Sequence, residues 1–108
     1  MVFGGFMIAE FTKKIMIRVT EIISAKNFRI VCKFNTGETK SLDIKPLIEN
    51  HKHLNGIEKL YDENYFETAQ VGAVGEIYWK DTITTEYKAT QSIWNYDISP
   101  EFAYQIGE

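Results

Sequence analysis

Phe28-Arg29-Ile30-Val31-Cys32-Lys33-Phe34-Asn35-Thr36-Gly37-Glu38-Thr39-Lys40-Ser41-Leu42-Asp43-Ile44 is the stretch whose reading decides the fold. Phe28, Ile30, Cys32 and Phe34 alternate with Arg29, Val31, Lys33 and Asn35, the period of a strand with one buried face. The turn after it fixes a register. A two-residue loop, Thr36-Gly37, would set Asn35 opposite Glu38 and Ile30 opposite Asp43, apolar against polar. A three-residue loop, Asn35-Thr36-Gly37, instead pairs Phe34 with Glu38, Cys32 with Lys40, Ile30 with Leu42, Phe28 with Ile44 and, on the other face, Arg29 with Asp43. A one-residue slip would turn every side chain over, so the second register wins. It requires a left-handed residue to close the loop, and Gly37 stands at that position.

Upstream, Ile15, Ile17, Val19 and Ile23 share one parity and predict a strand over Ile15 to Ala25. Downstream, Pro46 suits the first position of a short helix with Leu47, Ile48, Leu54, Ile57, Leu60 and Tyr61 as its apolar side, broken near Asn55-Gly56. Asp62 is placed to cap a further turn, Glu63-Asn64-Tyr65-Phe66. Strands follow over Glu67 to Ala73 and Glu76 to Lys80, hinged at Gly72 and Gly75. The polar, Thr-rich run Asp81 to Gln91 reads as a long hairpin or a loop, and Ser92 to Tyr96 as a final strand. Ser99 as cap, Pro100, Glu101 and the stop at Gly107 mark a last helix, with Phe102 and Ile106 on one face. The expected class is α+β, a small antiparallel sheet with short helices packed on it, in one domain over residues 15–108.

The chain has 108 residues, with 44% hydrophobic, 14% aromatic and 25% charged, which excludes a disordered chain and leaves no room for a separate cofactor module. Cys32 is the single cysteine, so a disulfide scaffold is excluded and a reducing, cytoplasmic setting is expected. The net charge of −3 is unevenly spread: residues 1–54 carry nine Lys/Arg against five Asp/Glu, and residues 55–108 carry three against ten. Such a split suits either an ordinary solvated surface or the steering of a partner. Residues 1–14 form an apolar stretch (Val2, Phe3, Phe6, Met7, Ile8, Phe11) broken by Gly4-Gly5 and followed by Lys13-Lys14. It lacks the charge order of a secretory signal and is shorter than the roughly 20 residues that cross a bilayer. An added arm, or an extension upstream of Met7 or Met16, is expected there.

Several constellations bear on chemistry. His51-x-His53 supplies two imidazoles, too few for a zinc site when Cys32 lies on the apolar face of a strand. Asp43, Asp62, Asp81, Asp97 and Glu101 have turn, cap and surface roles, and no spacing brings two of them together. No phosphate loop or Ser–His–Asp order occurs. No catalytic residue, metal ligand or cofactor is expected. Lys26, Arg29, Lys33, Lys40 and Lys45 lie on or beside the hairpin and form a candidate basic surface for nucleic acid. Tyr78, Trp79, Trp94, Tyr96 and Asp97 form a candidate interaction surface or, on the other reading, core filling for a small domain.

The order of these pieces resembles a family. Phe34-Asn35-Thr36-Gly37-Glu38 followed by Leu42-Asp43-Ile44-x-Pro46-Leu47-Ile48 is similar to the F-x-D/N-G, then D-L-x-P-L pattern of a small bacterial domain-of-unknown-function family, number 2442. Leu60-Tyr61-Asp62 leading to Tyr65-Phe66, Gly75-Glu76-Ile77-Tyr78-Trp79 and Asp97-Ile98-Ser99-Pro100-Glu101-Phe102 extend the resemblance to residues 16–106. The chain departs from the pattern in its N-terminal arm and in a longer segment between Trp79 and Asp97, and either Trp79 or Trp94 fits the family's tryptophan. The resemblance implies a compact α+β domain without an assigned activity, with relatives that stand beside another small protein in toxin–antitoxin-like pairs. Other relatives join a helix-turn-helix, for which this chain has no room. The expected function is therefore a non-catalytic protein-interaction module. A nucleic-acid-binding domain and a small enzyme using Asp97 are the alternatives. The expected partner is another protein or a second copy covering an open strand edge, with no membrane partner.

Overall fold

The central hairpin takes the register that places apolar against apolar. In the computed structural model, which describes residues 16–108, β2 (Arg29–Phe34) pairs with β3 (Thr39–Asp43) so that Ile30 faces Leu42, Cys32 faces Lys40 and Arg29 faces Asp43. The Phe34 amide donates to the Glu38 carbonyl at 2.8 Å and the Gly37 amide to the Phe34 carbonyl at 2.9 Å. Gly37 closes this loop at φ +92°. The expected arm over residues 1–14, together with Ile15, lies outside the described residues.

β1 (Val19–Lys26) completes an antiparallel sheet in the order β1-β2-β3. Its inward parity holds at Ile17 and Val19 and then fails. Irregularities between Val19 and Glu21 and between Ile22 and Ser24 turn the strand over, so Ile22 packs on the core and Ile23, expected inside, is 52% exposed. Phe28 also leaves the strand expected for it. It forms with Asn27 a two-residue turn at φ +61° and +53°, although its carbonyl still accepts the Ile44 amide at 2.8 Å.

α1 (Lys45–Asn50) starts one residue before Pro46, which stands in its first turn, and buries Leu47 and Ile48. A 3-10 turn, Ile57–Tyr61, follows Gly56, and the Asp62 carboxylate caps α2 (Glu63–Phe66) by accepting the Asn64 and Tyr65 amides. The strand expected from Glu67 shrinks to β4 (Gln70–Val71), because the amides of Glu67, Thr68 and Ala69 are still bonded to carbonyls of α2. β4 opens a second antiparallel sheet, β4-β5-β6, with β5 (Ile77–Tyr87) and β6 (Thr90–Ile98). The Thr-rich run is thus a hairpin, turning at Lys88 and Ala89 with φ +49° and +67°. α3 (Pro100–Ile106) is capped by the Ser99 hydroxyl, which accepts the Phe102 amide at 3.2 Å. Its buried residues are Pro100 and Ala103, while Phe102 is 42% exposed, because Tyr104 docks edge-on against Phe34 and rotates Phe102 outward.

The two sheets with their short helices make a small α+β domain around one core, in which Phe34, Ile30, Leu42 and Ile44 meet Trp79, Phe66, Ile57, Leu60 and Ile77. They are tied together where the Val19 amide donates to the Gly75 carbonyl at 3.0 Å and the Arg18 guanidinium to the Ala73 carbonyl at 2.7 Å.

β5 carries a large bulge. Trp79 faces Tyr96 and Ile83 faces Trp94, leaving Lys80, Asp81 and Thr82 opposite Asn95 alone. Asp81 adopts φ +54° and its amide donates to the Asn95 side-chain carbonyl at 3.0 Å. Thr82 is fully buried, its hydroxyl 2.9 Å from the Trp79 carbonyl and 2.7 Å from the Tyr65 hydroxyl, which lies 2.6 Å from the Lys80 carbonyl. Gly56 seats the bulge: a Cβ there would stand 2.0 Å from the Thr82 carbonyl oxygen, at φ +109°. Gly37 differs, having positive φ but no atom within 4 Å of the corresponding position. Gly37→Ala should therefore cost about 1 kcal/mol, the left-handed penalty alone, and Gly56→Ala about 3 kcal/mol or more. Urea denaturation measures both, and equal losses would contradict the close approach at Gly56.

Candidate functional site

The bulge divides the aromatic cluster into a buried half and an exposed half. Before it, Trp79 is fully buried and donates its indole N–H to the Phe66 carbonyl at 2.9 Å. Tyr96 is 6% exposed and stacks obliquely on Trp79 with ring centres 6.0 Å apart. Its hydroxyl lies 2.7 Å from His51 Nδ1, and burial, with the adjacent Asp97 charge, pushes the phenol up to about 12. Tyr78 is half-buried on the opposite face and donates to Gln70 Oε1 at 3.0 Å, with exposed Asp97 across the ladder from it. Trp79 and Tyr96 thus belong to the core.

Beyond the bulge the hairpin is open. From Thr85 to Asn95 every residue is exposed except half-buried Ser92. Trp94 is 57% exposed, and its indole N–H donates to the Thr85 hydroxyl at 2.9 Å, which fixes the ring on the surface. Trp94 and Tyr96 border one shallow groove of about 450 Å³ with His51, Leu54, Ile83 and Thr85. Ile93 and Tyr87, which sequence reading does not single out, are 58% and 72% exposed. Their signal is slight: Tyr87 lies between charged Glu86 and Lys88, and Ile93 between Ser92 and Trp94, where neither pattern decides which face meets water.

The basic residues gather only in part, Lys26 standing opposite Arg29 across the β1–β2 pair. Lys26, Arg29, Lys33 and Lys45 are exposed, but Lys40 turns toward α3, its ammonium 3.9 Å from the Tyr104 ring centre and donating to the Tyr104 carbonyl at 3.2 Å. Arg29 donates to the Ser41 hydroxyl at 3.2 Å beside Asp43, and Lys33 stands opposite Glu21. The Tyr104 hydroxyl donates to the Glu38 carboxylate, which lowers the pKa of Glu38 and raises that of Tyr104.

Cys32 is fully buried, and burial pushes its thiol up to about 11, which suppresses the thiolate a nucleophile needs. The His51 and His53 rings lie 6.0 Å apart, and among the described residues no three His, Cys, Asp or Glu side chains are grouped to hold a metal ion. Asp62 and Asp43 accept backbone amides. Asp97 and Glu101 border a second open groove of about 420 Å³ with Glu76, Ser99 and Pro100. Among the described residues no helix is long and apolar enough to cross a membrane. No protein-family model matches the chain, and neither does any curated protein or solved structure.

The two tryptophans should respond oppositely to truncation. Trp79→Ala should lose about 3–5 kcal/mol, as a large aromatic removed from a core does, and Trp94→Ala no more than about 0.5 kcal/mol. Thermal and urea unfolding separate the two. A pH prediction follows from Cys32. Its folded pKa of about 11 lies above the ordinary 9.0, so the thiol's contribution is complete below pH 9 and is lost as pH rises through 11. The urea midpoint should fall more steeply over that window in the wild type than in Cys32→Ala.

Proposed function

We propose that this chain is a non-catalytic protein-interaction module that meets another protein through the β5–β6 hairpin. The observation that carries the reading is the exposure of Trp94, Ile93 and Tyr87 on one projecting two-stranded element. Large apolar and aromatic side chains in water are the anchors that interfaces use. The bond from Trp94 to Thr85 holds one anchor in place before binding, which lowers the entropy lost on association. β6 adds a backbone edge, since it ends the sheet order and its residues Thr90 to Tyr96 include no charge and no proline. An extended segment of a partner can pair along such an edge. The resemblance to domain-of-unknown-function family 2442 supports the finer reading, the antitoxin-like half of a small bacterial protein pair acting in the cytoplasm.

The test compares the tagged wild-type chain with the double variant Ile93→Ser, Trp94→Ala in affinity capture from native cells after nuclease treatment. A stoichiometric protein should come with the wild type and be lost with the variant, whose unfolding midpoint should match the wild type's. Equal recovery by both, or recovery of the chain alone, would overturn the reading.

A further inference from the structure

Among the described residues the two sheets have four edges, and three of them are blunted against pairing with another chain. β1 carries two register irregularities and the charged Glu21 and Lys26. β3 is five residues long, and its Ser41 carbonyl is taken by the Glu108 amide at 3.0 Å. β4 has two residues. Irregularity, charge, coverage and brevity are the usual defences of a sheet edge. β6 has none of them: it is nine residues long, the extra residues of the bulge lie on β5, and Thr90 to Tyr96 carry no charge.

The backbone groups on that edge follow from the turn. A two-residue loop, Lys88-Ala89, makes Tyr87 and Thr90 a hydrogen-bonded pair, and bonded pairs alternate along an antiparallel ladder. Thr85 with Ser92 and Ile83 with Trp94 therefore exchange bonds, whereas Thr84 with Ile93 and Glu86 with Gln91 turn their amides and carbonyls outward. The Thr84 amide does point outward, reaching the Asn55 carbonyl at 2.9 Å. On β6 the outward groups belong to Gln91 and Ile93 and, by the same alternation, to Asn95. An occupant must bring an uncharged strand with outward groups at matching spacing, and β6 itself meets that demand. Turned antiparallel about Ile93, two copies set Gln91 opposite Asn95 and Ile93 opposite Ile93, outward groups to outward groups. On the other face Trp94 stands opposite Ser92 and diagonal to Trp94 of the second copy. No charge faces its own sign, and Asp97 falls beside the Lys88-Ala89 turn of the second copy, a carboxylate near an ammonium at each end. Sliding one copy by two residues parts the Ile93 side chains.

We propose that β6 pairs antiparallel with β6 of a second copy about Ile93, joining two β4-β5-β6 sheets into one six-stranded sheet. A two-fold axis at Ile93 makes the contact self-complementary. The inference rests on the reading of the β5–β6 hairpin as an interaction element and names the occupant of its edge. The Trp94 and Tyr87 side chains stay on the sheet surface, where another protein can meet them.

Sedimentation velocity of the purified full chain should show a monomer–dimer equilibrium with a dissociation constant on the order of 10 μM, as suits a small interface. Ile93→Pro removes an amide that makes no bond within the chain, at an edge position that tolerates proline. It should weaken the dimer about tenfold or more while the urea midpoint stays close to the wild type's. If that variant does not fold, Ile93→Lys reads the same contact by setting two ammonium groups against each other across the axis. The register is read by oxidation of single-cysteine variants. Across a bonded pair the Cα atoms of Ile93→Cys stand about 5.5 Å apart and link, whereas those of Gln91→Cys stand roughly 14 Å apart and do not. A monomer at concentrations up to about 1 mM, a dimer unchanged by the folded Ile93 variant, or equal linking at both positions would overturn the proposal. A monomer that still captures a foreign protein overturns this inference alone, and a dimer that captures none supports it while overturning the other reading.

Discussion

A buried indole N–H must have an acceptor, and in this fold Trp79 takes the Phe66 carbonyl at the end of α2. That single bond fixes the first part of the second sheet against the helical segment. Phe66 is then held between Trp79 and Phe28, which links the β1–β2 turn to the same point. The Trp79 carbonyl meets the Thr82 hydroxyl, and Tyr65 reaches the same hydroxyl from α2. The bulge is thus organised around the residue that anchors the core. Gly56, against the Thr82 carbonyl, is the space left for it.

The bulge also explains why one hairpin has two characters. Without it, Trp79 and Ile83 would continue a regular ladder along β5. Three residues stand opposite Asn95, and the ladder resumes with Ile83 and Trp94 at the margin of the packed part of the molecule. Ile83 is the last residue of β5 held by the core, and Trp94 across from it is already on the surface. The same device therefore separates a structural tryptophan from an exposed one, although only fourteen positions divide them.

Sequence reading was strongest where two independent constraints agreed. In Phe28–Ile44 the alternation and the demand for a left-handed residue at Gly37 selected the same register, and the backbone adopts it. The caps at Asp62 and Ser99 and, to within one residue, the helix start near Pro46 were legible because each rests on local chemistry. Ile23 was not, because the two irregularities in β1 involve no glycine and leave no mark in the pattern. Phe28 misled for a related reason: its apolar contact with Tyr61 and Phe66 looks the same whether it comes from a strand or from a turn. At the candidate site the residues were legible but their division was not. Trp79, Trp94 and Tyr96 have the composition of a core and of an interface alike, and the bulge that assigns them is built from Lys80, Asp81 and Thr82, none of which advertises a bend. For Ile93, beside Trp94, and Tyr87, between Glu86 and Lys88, the exposure is set by the tertiary structure alone.

The strand order has a consequence for how the chain acquires its structure. Each sheet consists of strands consecutive in sequence, β1-β2-β3 and then β4-β5-β6, and every pairing within a sheet joins neighbours. Closing each hairpin therefore encloses a short loop and sacrifices little chain entropy. The pairings of β1 with β2 and of β2 with β3 need nothing beyond Asp43, so they can form while the C-terminal half is still emerging from the ribosome. The second sheet has no such independence, since its first residues must meet a turn around Phe66 and a strand end at Val19 that already exist. Synthesis from the N-terminus thus delivers the template before the part that docks on it.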